Sequence, residues 1–507
     1  MIKRFAFNAG TGVFLQLTAA IIGFILLPYA MTRLGRQQYG IYQIANSTCA
    51  FMVFLQLGMG PTLIRFCSKA IAKNDTEEIK KICSSAYFII SILGFVVLSI
   101  GFSLIPIFIS FYNIPALLIQ DSKVLLIYML FSLVINFTTL IPQGILTGAN
   151  RIDIINYTAI VNRVLVLFGV VFFFEFLSPS LSYYGLAILL SYLVQLGLLI
   201  YMSVRIVGFS SMFHWKSIRI DYVKQIVSFG SLSFINAISG AFTWQSPVLI
   251  CGKILGEEAA AAFAPAQLVS QTLQSLMGKI SSPIVPYASR NLIEDGGEKI
   301  KSWAFNISII LAIIGFSLGL PFMICGPELV NFWLGQELIW TWKIIAVMVI
   351  GTTISQIQAV NYFLALGGGD IRPTVYSQAV MAFVVSTGIY IGTAHFNWSL
   401  LGVALYFILC IILRNTFYLA YAYSNQFSYR YSSYLFNVYL IPALFAFFSV
   451  FIGYSIKMFL SPVNIFYTGC YILLVNGLYA LAGWYVIIPG HVKLIVSEKV
   501  RKWKWRM

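Results

Sequence analysis

The sequence predicts an all-α integral membrane protein with about fourteen transmembrane helices, arranged as two parallel six-helix repeats plus two C-terminal helices. Three observations carry this prediction. Of 507 residues, 60% are hydrophobic and only 9% charged, a balance foreign to a water-surrounded domain of this length. Apolar stretches of membrane-crossing length succeed one another along the whole chain. Glycine-bearing turns recur in one order at an almost constant offset.

The composition excludes several classes. The seven cysteines (Cys49, Cys67, Cys83, Cys251, Cys325, Cys410 and Cys470) are scattered, with no spacing that suggests a disulfide framework or metal site. The three histidines, His214, His395 and His491, fall near predicted span ends, which argues against a buried imidazole site. No Gly-x-x-x-x-Gly-Lys-Ser/Thr pattern occurs, so an ATP-cradling loop is not expected. No cofactor and no nucleic-acid partner is indicated. Predicted loops are short, which speaks against an enzyme such as a polysaccharide polymerase or ligase with a large external catalytic loop.

Spans are expected near residues 8–31, 41–60, 83–108, 122–142, 154–177 and 183–204, then 226–251, 259–280, 302–325, 340–363, 374–394 and 400–423, with two more near 435–456 and 464–488. Lys3 and Arg4 precede a stretch from Asn8 to Met31 that is too long for a signal-peptide core, so it reads as a retained first helix. With the N-terminus inside, 24 Lys and Arg fall on the cytoplasmic side, six on the other (Arg33, Arg36, Lys123, Lys253, Lys343 and Lys457) and two, Arg163 and Arg414, inside spans. Both termini are therefore expected in the cytoplasm.

The expected division is 1–204, a first six-helix bundle; 205–225, a cytoplasmic interfacial linker; 226–423, a second six-helix bundle; 424–490, two additional helices; and 491–507, a basic cytoplasmic tail. In the linker, Phe213, Trp215, Ile218 and Tyr222 stand among basic residues; in the tail, Val492, Ile495, Val496, Val500 and Trp503 recur at helical spacing beside six Lys and Arg. Both patterns suit a membrane surface, and the tail also reads as a plain topology-setting basic segment.

The repeat rests on three pairings. Leu34-Gly35 and Leu255-Gly256 lie 221 residues apart, Leu146-Thr147-Gly148 and Leu366-Gly367-Gly368 lie 220 apart, and Gly185 and Gly402 lie 217 apart. Six spans per repeat is an even number, so the halves share one orientation.

At the first of these turns stands Arg33-Leu34-Gly35, followed by Tyr39-Gly40-Ile41-Tyr42; Arg65-Phe66 with Lys69 follows the second span, and Phe332-Trp333-Leu334-Gly335 the ninth. With these residues the chain resembles the polysaccharide-export branch of the multidrug/oligosaccharidyl-lipid/polysaccharide exporter superfamily, O-antigen flippases among them, over essentially its whole length. The resemblance implies two bundles around a central cavity lined by the first, second, seventh and eighth spans. It further implies alternating access and translocation of an undecaprenyl-pyrophosphate-linked oligosaccharide to the outer leaflet of a bacterial inner membrane, for O-antigen, capsule or exopolysaccharide assembly. Membrane lipids, and polysaccharide polymerase and chain-length proteins, are the partners it suggests. The alternatives are a cation-coupled multidrug antiporter and a lipid II flippase.

Charge placement favours an anionic cargo. Of sixteen Asp and Glu, only Glu175 falls well inside a span, whereas cation-coupled pumps need membrane carboxylates. Arg163 and Arg414 place guanidinium within spans, and Arg33 and Lys253 stand at the outer mouths of the first and seventh. Arginine suits phosphate oxygens; equally, each cation can be satisfied by a neighbouring helix or by snorkelling. Asn236, Ser239, Thr243 and Ser246 on the seventh span, and Gln267, Ser270, Gln271 and Gln274 on the eighth, form polar stripes suited to sugar hydroxyls or to interhelical hydrogen bonds.

Overall fold

The computed structural model describes residues 2–56, 59–208, 214–228, 231–281, 284, 298–368, 370–460 and 465–487. Among them no strand occurs, and ten helices are long and apolar enough to cross a membrane. In chain order the helices, membrane-crossing or shorter, begin with α1 (Ile2–Leu34), α2 (Arg36–Met52), α3 (Met59–Ala72), α4 (Thr76–Phe111), α5 (Ile119–Thr138), α6 (Leu140–Gly148), α7 (Ile152–Phe176), α8 (Leu181–Val207), α9 (Ile220–Ser228), α10 (Ser231–Ile254) and α11 (Glu257–Ser281). The chain is an all-α multi-pass membrane protein. The expected basic tail, 491–507, lies outside the described residues.

Among the described residues every predicted span falls on helix, but several are not single rods. The stretch 41–60 is divided among α2, a 3-10 turn at Val53–Gln56 and α3. The fourth span breaks at Thr139, between α5 and α6, and the tenth at Gln358, between Trp342–Ile357 and Ala359–Gly368. Leu413–Leu419, Leu435–Leu440 and Gly483–Ile487 are π-helical. A π segment widens one turn by a residue, and composition leaves no trace of it.

Local features recur along the chain at the offset of the repeat. Pro28 in α1 and Pro247 in α10 are 219 residues apart. Gly35 and Gly256 both take positive φ, +80° and +91°, where the chain turns into the next helix; a side chain would be strained there. Asn113 (φ +52°) and Gly335 (φ +85°) occupy the next matching pair of turns, 222 apart. The breaks at Thr139 and Gln358 are 219 apart, and so are two capping serines. Ser180 Oγ accepts from the Tyr183 N–H, and Ser399 Oγ from the Gly402 N–H. These caps show that the Gly185/Gly402 pairing, 217 apart, is two residues out of register.

The chain packs as two compact units, Met1–Ala264 and Pro265–Met507. This is a division by packing; the boundary drawn at 205–225 concerns the repeat and stays a proposal. In the second unit the last two spans are built into the core. Tyr434, Val438, Tyr439, Ala446, Tyr471, Val475 and Tyr479 pack with Ile309, Ile313, Phe316 and Leu320 of the helix Glu298–Ile324. Hydrogen bonds run through the same core: Asn361 Nδ2 donates to Gln358 Oε1 and to Tyr434 Oη, both at 2.8 Å, and Gln358 Nε2 to the Asn415 carbonyl at 3.0 Å.

The described part of the linker is held by α4. The backbone N–H of His214 donates to Ser84 Oγ (2.9 Å) and that of Arg219 to Ser85 Oγ (3.0 Å), while Tyr222 Oη donates to Glu78 Oε1 (3.2 Å). Trp215 and Ile220 remain strongly exposed, which suits a position at a bilayer surface.

Candidate functional site

A cavity of about 280 Å³ lies inside the first unit, among α1, α2, α5, α7 and α8. Tyr42 and Asn46 enter it from α2, Ser132 and Asn136 from α5, Asn162 and Arg163 from α7, and Tyr184 and Tyr192 from α8. The Tyr42 and Tyr184 rings meet with centroids 4.3 Å apart. Asn162 is fixed by donating from Nδ2 to Ser191 Oγ (3.1 Å), and Asn136 Oδ1 accepts from Gln56 Nε2 (3.4 Å). Arg163 makes no hydrogen bond and no ion pair to any described residue, and no carboxylate lines the cavity. Arg163 is exposed at this half-open cavity, with the Tyr42 and Tyr184 hydroxyls within reach of its charge.

The other cations are engaged. Arg33 forms an ion pair with Glu175, which also accepts a 2.9 Å hydrogen bond from Tyr29 Oη. Glu175, expected well inside a span, stands next to the end of α7 and ties it to α1. At the opposite end of the same helix pair, Asn8 Nδ2 donates to Asn150 Oδ1 (3.1 Å), Asn8 Oδ1 accepts from the Asp153 N–H (3.2 Å), and Asn156 Nδ2 donates to Thr11 Oγ1 (2.9 Å). Lys253 Nζ donates to the carbonyl of Phe111, the last residue of α4, with its ammonium over the Phe111 ring; a cation is favoured at a helix C-terminus. Arg414, in the π segment, donates from Nε to Ser377 Oγ (3.1 Å) and from Nη2 to the Thr374 carbonyl (3.4 Å). It also lines an apolar cavity of about 350 Å³ with Tyr376, Val380, Met381 and Leu413.

The two clasps on α1 and α7 differ in burial, which separates their expected contributions. Glu175→Gln breaks a half-exposed pair, so it should lower stability by less than about 1 kcal/mol. Asn8→Ala strands buried partners and should cost about 1–3 kcal/mol. Thermal unfolding of both variants in detergent checks the order; an equal or reversed order contradicts it.

The polar stripes divide between the units. Asn236 and Lys253 belong to the first, while Gln267, Gln271 and Gln274 belong to the second. Asn236 is half-buried and Gln271 exposed. Gln267 is buried and bonded. In the first unit Ser246 Oγ, and in the second Ser270 Oγ and Gln274 Nε2, are buried without a hydrogen-bond partner.

Tyr42, Asn46, Asn136, Asn162, Tyr184 and Tyr192 were not singled out from the sequence as site residues. Asparagine within an apolar span is their one signal, at Asn46, Asn136 and Asn162, and a lone amide there reads equally as helix packing. The tyrosines carry no such mark.

Helix order and paired turns define a multi-pass, all-α membrane fold. An inward-facing multidrug resistance MATE family transporter of the MOP superfamily shares it with a TM-score of 0.69 at 14% identity, covering 83% of this chain and 98% of its own. The lipid II flippase MurJ in an inward closed conformation does so with a TM-score of 0.67 at 13% identity, covering 94% and 98%. A eukaryotic MATE transporter gives 0.61 at 14%, covering 85% and 98%. No curated protein sequence matches the chain significantly. The model of the family described as polysaccharide biosynthesis protein matches residues 7–292, more than half of the chain. The chain belongs to that polysaccharide biosynthesis protein family.

Proposed function

We propose that the protein is a flippase that moves a lipid-linked oligosaccharide of the undecaprenyl-pyrophosphate type from the cytoplasmic to the outer leaflet of a bacterial inner membrane by alternating access. The observation that carries this reading is the charge inside the spans. Glu175, next to the end of α7, is paired with Arg33, whereas Arg163 lines a cavity that holds no carboxylate. A cation-coupled antiporter needs the opposite arrangement. In this reading both termini are cytoplasmic, the two six-helix bundles move about the cargo, and no bond is made or broken, so the protein acts as a transporter and not an enzyme. Arg163, Arg414, Arg33 and Lys253 supply positive charge along the route; Asn236, Gln267, Gln271 and Gln274 meet sugar hydroxyls. O-antigen, capsule or exopolysaccharide assembly would use the product, and a polymerase and chain-length proteins would act next.

A lipid II flippase is the second reading. MurJ aligns with 94% of the chain, against 83% for the MATE transporter described above.

Reconstitution with labelled lipid-linked precursors of differing sugar composition, lipid II included, tests both. Wild type should flip a precursor, and Arg163→Ala and Arg414→Ala should each slow it roughly tenfold or more at equal insertion, because a charge-assisted hydrogen bond contributes about 1.5–3 kcal/mol. Equal rates in both variants would reduce the two arginines to packing roles. Drug efflux driven by an imposed ion gradient, without lipid flipping, would overturn the reading.

A further inference from the structure

We infer that the groove between the helix Arg372–Ala394 and the helix that begins at Leu400 is a binding site for an anionic glycerophospholipid of the surrounding bilayer, with one acyl chain in the groove and the phosphate at Arg414. The occupant is a resident lipid and not the cargo, so the inference goes beyond the transport reading and stands on the second unit alone. Arg414 then bears on transport through this lipid.

The groove is about 350 Å³ and almost wholly apolar. Tyr376, Val380 and Val384 line it from one helix, Leu413 and Tyr418 from the other, and all five are exposed; on a membrane-crossing helix such a face meets lipid tails. The exposed ion pair of Asp370 with Arg372 marks the end of the first helix. Thr374 and Ser377, which accept the hydrogen bonds of Arg414, stand two and five residues beyond Arg372, roughly 3 and 8 Å along the axis. The guanidinium therefore sits near headgroup level. Val384, twelve residues in, is roughly 18 Å along, about the middle of a ~30 Å hydrocarbon core. From Arg414 to Val384 the groove has the reach of one acyl chain in one leaflet. Tyr376 and Tyr418 flank its charged end, where tyrosine is favoured.

Arg414 spends two of its five N–H groups on Ser377 Oγ and the Thr374 carbonyl. Among the described residues the other three have no acceptor, and no carboxylate pairs with the charge. A lipid phosphate supplies acceptors and countercharge together. A zwitterionic lipid brings its own cation to the same place, so an anionic lipid is favoured. Helix packing does not require this charge. The position 219 residues before Arg414, at the matching register of the first repeat, is Gln195, buried and neutral on α8, which is α-helical throughout. Arg414 instead stands in the π segment Leu413–Leu419, and widened turns of this kind are frequent at functional sites. Charge and widened turn thus coincide at the groove and are missing from its counterpart on α8.

Native mass spectrometry of the full-length protein, titrated in detergent with phosphatidylglycerol or phosphatidylcholine of identical acyl chains, provides the test. Wild type should bind one phosphatidylglycerol saturably and roughly tenfold more tightly than phosphatidylcholine. Arg414→Gln should remove that preference, and Arg414→Lys should keep part of it. Val380→Trp fills the groove from an exposed position and should weaken both lipids at an unchanged Tm, whereas Val161→Trp, its counterpart in the first repeat, should leave binding as it is. If Arg414→Gln fails to fold, Val380→Trp together with Arg414→Lys decides. Equal affinity for the two lipids in wild type, or unchanged phosphatidylglycerol binding in the folded groove variants, overturns the site. Polyprenyl phosphate that binds more tightly and displaces phosphatidylglycerol also overturns it, and makes the groove part of the cargo route. Phosphatidylglycerol binding in a protein that flips no lipid-linked sugar would sink the flippase reading and leave this site standing.

Discussion

Gly40→Ala should cost the protein its folded state. A β-carbon at residue 40 would lie 1.9 Å from the backbone oxygen of Glu257 and 2.5 Å from its carbonyl carbon, so α2 and the start of α11 touch backbone to backbone at this point. No rotamer change relieves a clash with a carbonyl; one helix must move. Overpacking commonly costs about 1–3 kcal/mol, and a rigid backbone obstacle puts this case at or above the top of that range. Gly10→Ala is the control. Nothing lies within 4 Å of a β-carbon there, and alanine in a helix is favoured over glycine by about 0.8–1 kcal/mol. Monodispersity and Tm in detergent should fall sharply for the first variant and hold or rise for the second. A Gly40→Ala protein with wild-type Tm would mean that this contact is not native.

A chain ending at Arg430 should fail to accumulate, although the repeat is complete before that point. The removed residues include Tyr434, Tyr471 and Tyr479, buried against Ile313, Phe316 and Leu320, and their loss would bare a broad apolar face on the remaining helices. It would also leave Asn361 without the acceptor provided by Tyr434 Oη. Tyr434→Phe isolates the polar part: it strands one buried amide and should lower stability by about 1–3 kcal/mol. Expression and melting of the truncated chain and of Tyr434→Phe check this. A stable, monodisperse truncated chain would make the last two spans an appendage.

The all-α membrane class and the succession of spans and turns were readable because lipid enforces them: each crossing needs about 20 apolar residues, and turns need residues that accept unusual φ. Gly35 and Gly256 illustrate this, since both carry positive φ where the sequence placed turns. Interruptions within spans were readable only in part. Thr139 stands three residues before Pro142, which has no N–H for the Thr138 carbonyl and crowds it, whereas the turn at Gln358 follows no proline or glycine, and there the Gln358 side chain donates to the Asn415 carbonyl. The site was legible only in part. Arg163 stood out as a charge in an apolar run, but which helices surround it depends on packing. Arg33 and Lys253 stood out for the same reason, and the structure gives them partners that spacing could not reveal, Glu175 on α7 and the end of α4.

The matched interruptions at Thr139 and Gln358, and the matched prolines Pro28 and Pro247, bear on the history of the chain. If one ancestral segment was duplicated, each copy was free to mend its own flaw, since an uninterrupted helix forms more readily than a broken one. Each half still carries its helix-weakening proline and its turn residue at one register, so a bend in one half has a counterpart in the other.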